Sequence, residues 1–213
     1  MYVNEAEQVE QLKKWVNEYG ASLIVGVFLA LVIGFGWRFW QQRQEQQLEH
    51  ASVRYEQLLT NVVNGNTTAV ESQALRLMTR YPHTPYAQLA ALQLARQQVY
   101  QDDYSGAQTQ LTWVMKHGNN PALREVARLR VARLQLAQNK TEDALTTLDK
   151  IEDKSYLPAI NIAKGDVLLA LGKTTEAAQA YQAAMTAFPG LDEMQPILSM
   201  KIDNLVGATN TTK

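Results

Sequence analysis

Residues 20–37 read Gly-Ala-Ser-Leu-Ile-Val-Gly-Val-Phe-Leu-Ala-Leu-Val-Ile-Gly-Phe-Gly-Trp, a run without charge between Glu18 and Arg38. An α-helix rises about 1.5 Å per residue, so this stretch reaches about 27 Å, close to the ~30 Å hydrocarbon core of a bilayer. A transmembrane anchor over residues 20–40 is expected. Tyr19 at one end and Trp37, Phe39 and Trp40 at the other suit the headgroup layers, and Arg38 can extend outward from the apolar layer. A cleaved leader would carry a shorter apolar region ending in small residues, whereas this run ends in Trp37-Arg38-Phe39-Trp40.

Lys13 and Lys14 before the run are matched by Arg38 and Arg43 after it, so charge does not decide which end faces the cytoplasm. Length favours a short inner segment, residues 1–19, with the large domain following the span on the far side. Ser22, Gly26, Ala30 and Gly34 recur every fourth residue and share one helix face. Such a stripe admits a second membrane helix, although small residues are common in membrane helices in any case. Val9, Leu12 and Val16 beside Glu10, Lys13 and Lys14 fit a short amphipathic helix on the membrane, or an ordinary frayed terminus.

Beyond the anchor the chain is repetitive. Residues 95–107, 132–144 and 165–177 each place a small residue (Ala95, Ala132, Gly165) twelve positions before an alanine (Ala107, Ala144, Ala177), with a polar turn between. The alanines recur after 37 and then 33 residues. A tetratricopeptide repeat has about 34 residues, and its two antiparallel helices approach through small side chains. The last copy follows that pattern through Gly165, Leu168, Gly172, Ala177, Tyr181, Ala184 and Pro189, and a degenerate first copy fits around Gly65, Val70, Leu77 and Pro82.

The fold class expected is therefore all-α: one N-terminal transmembrane helix, then an α-solenoid of about four helical hairpins with a C-terminal capping helix. Ile197, Leu198, Ile202 and Leu205 are spaced to cover the last repeat's open face. Thr68-Ala-Val-Glu71 reads as a capping box, and Thr84-Pro85 and Asn120-Pro121 each pair a capping residue with proline at the first helical position. The repeat domain is expected over 41–206, entered through the polar stretch 41–47, with a disordered tail over 207–213.

Composition excludes several function classes. The 213 residues carry a formal net charge of −1, so no overall basic field is available to hold nucleic acid. There is no cysteine, hence no disulfide, thiolate metal site or cysteine nucleophile. His50, His83 and His117 stand apart, and no Gly-rich phosphate loop or serine elbow is present. No enzyme, metal or cofactor is expected. The acidic pairs at 102–103, 142–143 and 152–153 fall at turns or helix starts and read as caps.

Binding remains. In a stacked array the first helix of each pair lines a groove, and the positions just after the small residues are Arg96, Arg133 and Asp166. Leu92, Leu129 and Ile162 lie four positions earlier on the same faces, giving a mixed candidate groove. The leucines could equally be core and the arginines solvated. The basic run Arg124, Arg128, Arg130 and Arg133 has the same two readings, and Trp113 is either core or an anchor for a partner.

Four blocks spread from end to end carry a family resemblance: Gln8-Val9-Glu10, Gly36-Trp37-Arg38-Phe39-Trp40, Leu-Gln-Leu-Ala at 92–95 and Met200-Lys-Ile-Asp-Asn-Leu205. The chain resembles the YfgM family of bacterial inner-membrane proteins. The resemblance implies a cytoplasmic N-terminus, one span and a periplasmic tetratricopeptide-like domain. It further implies an ancillary role at the SecYEG translocon, with the membrane-anchored periplasmic chaperone PpiD as a second partner, and it supplies no catalytic residue. A scaffold for another envelope assembly complex and a holdase-type chaperone are the alternatives, because a repeat fold does not fix its partner.

Overall fold

The computed structural model describes residues 5–187 and 195–210, with side chains throughout 28–187 and 195–205 and at scattered positions before residue 28. Among the described residues the chain is helical, without strands, as the repeat pattern requires. The α-helices are α1 (Glu5–Val63), α2 (Thr67–Arg80), α3 (Pro85–Tyr100), α4 (Tyr104–His117), α5 (Pro121–Ala137), α6 (Thr141–Asp149), α7 (Leu157–Ala170), α8 (Thr174–Ala187) and α9 (Gln195–Asn210). The chain divides into two compact units, residues 1–50 and 51–213.

In the first unit the backbone of 20–37 is helical within α1. Every residue from Phe28 to Trp40 is exposed, with Ile33 at 69%, Phe35 at 71% and Phe39 at 66%. The side chains of 20–25 and 27 lie outside the described residues, as do those of Val9, Leu12 and Val16. Among the described residues no helix is long and apolar enough to cross a membrane.

In the second unit the end of α1 packs with α2, then α3 with α4, α5 with α6, and α7 with α8, and α9 closes on α8. The core is a succession of clusters shared between neighbouring hairpins. Ala51 and Leu58 of α1 meet Val70, Ala74 and Leu77 of α2 and Leu94 of α3. Ala95, Ala107, Leu111 and Ala127 form the next cluster, Leu129, Ala144, Leu148 and Ile160 a third, and Ala177, Tyr181, Leu198 and Leu205 the last. Each hairpin buries apolar surface only against its neighbours, which is the nearest-neighbour logic of a solenoid.

The twelve-residue spacing has a direct geometric cause. Ala95, Ala132 and Gly165 sit late in the first helix of a pair, and Ala107, Ala144 and Ala177 early in the second; all six are buried where the two helices approach. At Gly165 the approach is closest, for a Cβ there would lie 2.4 Å from the Tyr181 ring. Each hairpin turn closes on a residue with left-handed backbone: Gly65 at φ 69°, Asp102 at 58°, Asn139 at 59° and Gly172 at 74°. Those are the residue types that tolerate this region.

Caps confirm two expected boundaries and move a third. The Thr84 hydroxyl accepts from the N–H of Ala87 at 3.3 Å, and Asn120 accepts from Ala122 and Leu123, both ahead of proline in the first turn. At α2 the cap is Asn66, accepting from Ala69 at 3.2 Å, not Thr68. Asn is a strong capping residue, and the turn at Gly65 delivers it to the helix start, so the helix begins before the Thr-x-x-Glu pattern. Asp103 and Asp153 cap similarly, accepting from Gly106 and Ser155. The capping helix forms as expected, with Leu198 and Leu205 buried and Ile197 left exposed. It continues to Asn210, because no proline interrupts it, so 207–210 belong to α9; 211–213 lie outside the described residues, as do Phe188 and Pro189.

Candidate protein-binding groove

The side chains expected to line a groove separate. Leu92 (4% exposed) and Leu129 (7%) belong to core clusters, and Ile162 packs half-buried against the cluster that contains Tyr181. The reason is rotational: four residues at ~3.6 per turn leave an offset of about 40°, enough to carry the leucine under the neighbouring helix while the arginine reaches solvent. Asp166 offers no free carboxylate either. Its Oδ1 accepts from the Tyr181 hydroxyl at 2.7 Å and pairs with the Lys201 ammonium, tying α7, α8 and α9 together.

Arg96 and Arg133, in contrast, meet at one cavity. It has a volume of about 380 Å³ and lies between α3 and α5 over α4. Ala95, Val99, Leu111, Leu134 and Ala137 make its walls and floor, Tyr100 and Tyr104 stand at its edge, and Arg130 joins the two expected arginines. Arg96 lies over the Tyr100 ring, 5.5 Å from the centroid, and reaches the Tyr100 hydroxyl at 3.4 Å, so its planar head is held on an aromatic face. The Arg130 guanidinium donates to the Leu92 carbonyl oxygen at 3.3 Å. Burial, and then the charges of Arg96 and Arg133, weaken its hold on its proton relative to a free guanidinium. Among the described residues, no carboxylate forms an ion pair with Arg96, Arg130 or Arg133.

Arg96 and Tyr100 also line a second cavity of about 400 Å³ that reaches back to the end of α1, where Asn61, Gln93, Gln97 and Gln101 present amides. Gln97 donates to the Thr67 carbonyl oxygen at 3.0 Å, fixing one wall. Arginines and tyrosines therefore mark the first of two cavities that share Arg96 and Tyr100 as lining residues, and amides the second.

The basic run on α5 divides. Arg128 is neutralised by Glu125 at 2.6 Å and donates to the Lys150 carbonyl, and Arg124 donates to the Gly118 carbonyl at 3.4 Å. Arg130 and Arg133 alone of the run face the cavity. Arg130 was missed as a groove residue, although its position three before Arg133 places it on the same side of the helix. Trp113 is half-buried against the core and stacked on His117, with ring centroids 5.3 Å apart, which makes it mainly a packing residue.

On α1, Gly26, Ala30 and Gly34 are exposed, and a Cβ at either glycine would meet nothing within 4 Å; the Ser22 side chain lies outside the described residues. Among the described residues, no group of three or more histidines and carboxylates is placed to hold a metal ion.

The family model for a tetratricopeptide repeat-like domain matches residues 13–207. The chain is 32% identical over 207 residues to the Ancillary SecYEG translocon subunit of Escherichia coli K12, covering 96% of this chain and 98% of that protein. Proteins of the same name from Aggregatibacter actinomycetemcomitans and Haemophilus influenzae are 30% and 28% identical, each over 203 residues, 95% of this chain and 98% of theirs. No solved structure matches.

Proposed function

Because the chain belongs to the YfgM family of ancillary SecYEG translocon subunits, we propose that it is a membrane-anchored adaptor that binds other proteins beside the translocon. The observation that carries this role is the end-to-end match, 96% of this chain against 98% of the Escherichia coli protein, which includes the anchor region as well as the repeats. A tetratricopeptide-like array acts by holding partners, and tethering two of them to one scaffold raises their effective concentration without chemistry.

The anchor is proposed at residues 20–40 of α1, in the bacterial inner membrane, with residues 1–19 cytoplasmic and the repeat domain periplasmic. What supports it is the run of exposed apolar side chains at 28–37, with Trp40 beyond. A helix apolar on every side is stable only where lipid or protein surrounds it. Gly26, Ala30 and Gly34 supply a face on which a neighbouring membrane helix can approach. A periplasmic chaperone of the PpiD type is proposed as second partner, on the strength of the family resemblance.

Site-specific photo-crosslinking from exposed positions of the repeat domain in living cells tests this role. Adducts with channel subunits are expected; adducts confined to unrelated envelope proteins would overturn it. Topology is read separately. The chain has no cysteine, so single cysteines at Lys13 and at Asn139 can be labelled with a membrane-impermeant maleimide on whole cells with a permeabilised outer membrane. Labelling at Asn139 alone is expected, and labelling at Lys13 alone would reverse the orientation.

A further inference from the structure

The cavity between α3 and α5 combines apolar walls with a cluster of cationic side chains. Its walls are aliphatic, from Val99, Leu111 and Leu134, yet Arg96, Arg130 and Arg133 all reach it. Burial first, and then the positive charges of Arg96 and Arg133, disfavour the charged form of Arg130. Nothing among the described residues of the chain relieves this with an ion pair. Arg128, two residues from Arg130, has its own glutamate at 2.6 Å, so the same helix supplies a counter-charge where the fold alone requires one. Arg96 and Tyr100 also line the second cavity, with the amides of Asn61, Gln93, Gln97 and Gln101.

We propose that this groove holds an extended, acidic-apolar segment within a partner protein, with a Glu or Asp side chain paired to Arg130 and Arg133 and a neighbouring aliphatic side chain seated on Val99, Leu111 and Leu134. The charge of the proposed ligand follows from the three guanidinium groups, which have no carboxylate partner among the described residues and whose planar donor pairs match a carboxylate. Its apolar companion follows from the aliphatic walls. Its extended, internal character follows from the second cavity beside the first: two cavities of about 380 and 400 Å³ that share Arg96 and Tyr100 as lining residues exceed what one side chain fills, and side-chain amides serve the N–H and C=O groups of a passing backbone. The segment deepens the adaptor role and rests on it, since it assigns that role a docking site and a ligand chemistry.

The test uses the full-length chain in mild detergent and fluorescein-labelled nine-residue peptides. The first alternates leucine with glutamate and is blocked at both ends; the second replaces every glutamate by glutamine; the third is the glutamine peptide with a free terminal carboxylate. Fluorescence anisotropy should show the glutamate peptide binding roughly tenfold or more tightly than either of the others, with affinity falling as salt is raised to about 0.5 M. Arg133→Gln, at an exposed position, and Arg130→Gln should each weaken it roughly tenfold while circular dichroism stays unchanged. Equal binding of the glutamate and glutamine peptides, or affinity unmoved in a folded Arg133→Gln variant, would overturn the proposal. Preference for the free-carboxylate peptide would overturn it too, by assigning the groove to a chain terminus. These failures leave crosslinks to the channel untouched, whereas loss of those crosslinks with peptide binding intact would count against the translocon role alone.

Discussion

Gly165 and Tyr181 illustrate how one side chain sets the geometry of a hairpin. The Tyr181 ring is fully buried at 0% exposure and lies where a Cβ on residue 165 would fall. Gly165→Ala should therefore force α7 and α8 apart or displace the ring, costing roughly 1–3 kcal/mol, readable as a lowered urea midpoint. The same tyrosine confers a pH dependence. Burial first, and then its hydrogen bond to Asp166, push its hydroxyl well above the ordinary tyrosine range. A raised pKa in the fold means that the protonated form is favoured there; its contribution is complete below the unfolded value, about 10, and is lost as pH rises beyond it. Stability should fall above about pH 10, and Tyr181→Phe should flatten that fall while costing roughly 1–2 kcal/mol at neutral pH. A slope unchanged in the variant would assign the alkaline loss to other groups. Gln88 is a parallel case: buried at 0% exposure, its amide oxygen faces the α4–α5 loop and accepts from the N–H groups of Asn119 at 2.6 Å and Asn120 at 3.2 Å. Gln88→Leu should leave both donors unpaired and cost about 1–3 kcal/mol by thermal denaturation.

Among the elements, the hairpins were legible because their constraint is local and repeated. Ala95 with Ala107, Ala132 with Ala144 and Gly165 with Ala177 must be small for paired helices to touch, so the spacing survives in the sequence. The left-handed turn residues Asp102, Asn139 and Gly172 keep the same spacing, yet they differ in type and so do not stand out as a repeat. Gly172→Ala should cost about 1–2 kcal/mol, since an L-residue is strained there. Helix starts were legible where proline follows the cap, at Thr84 and Asn120, and misplaced at α2, where two capping patterns overlap within three residues. The groove was only half legible. Its arginines stand in the sequence, but whether Leu92 turns into the core or the cavity depends on how α3 rotates against two neighbours at once, which no local pattern encodes. At α9 the proposed capping role is testable by truncation before Gln195, which exposes Tyr181, Ala177 and Ala184. The shortened chain should lose cooperative unfolding in its last hairpin, or aggregate, as uncapped solenoids do; unchanged unfolding would assign α9 no structural role.

At the scale of the molecule, the chain carries a helical stretch at 28–37 with exposed apolar side chains and a repeat array with a cavity lined by three arginines. On the proposed reading the first lies against lipid or membrane helices and the second takes an acidic segment of another protein, which together would make the chain a tether. Replacing Gly26 and Ala30 by leucine should weaken association with membrane partners without changing the melting of the repeat domain, because a Cβ at Gly26 meets nothing within 4 Å among the described residues. The central claim, that the chain serves as an adaptor at the translocon, is tested most directly by extracting the tagged full-length protein from its native membrane in mild detergent and identifying everything that co-purifies. SecYEG subunits together with a periplasmic chaperone are the expected result; enrichment of other envelope proteins with no channel subunit would contradict it while leaving the fold as described.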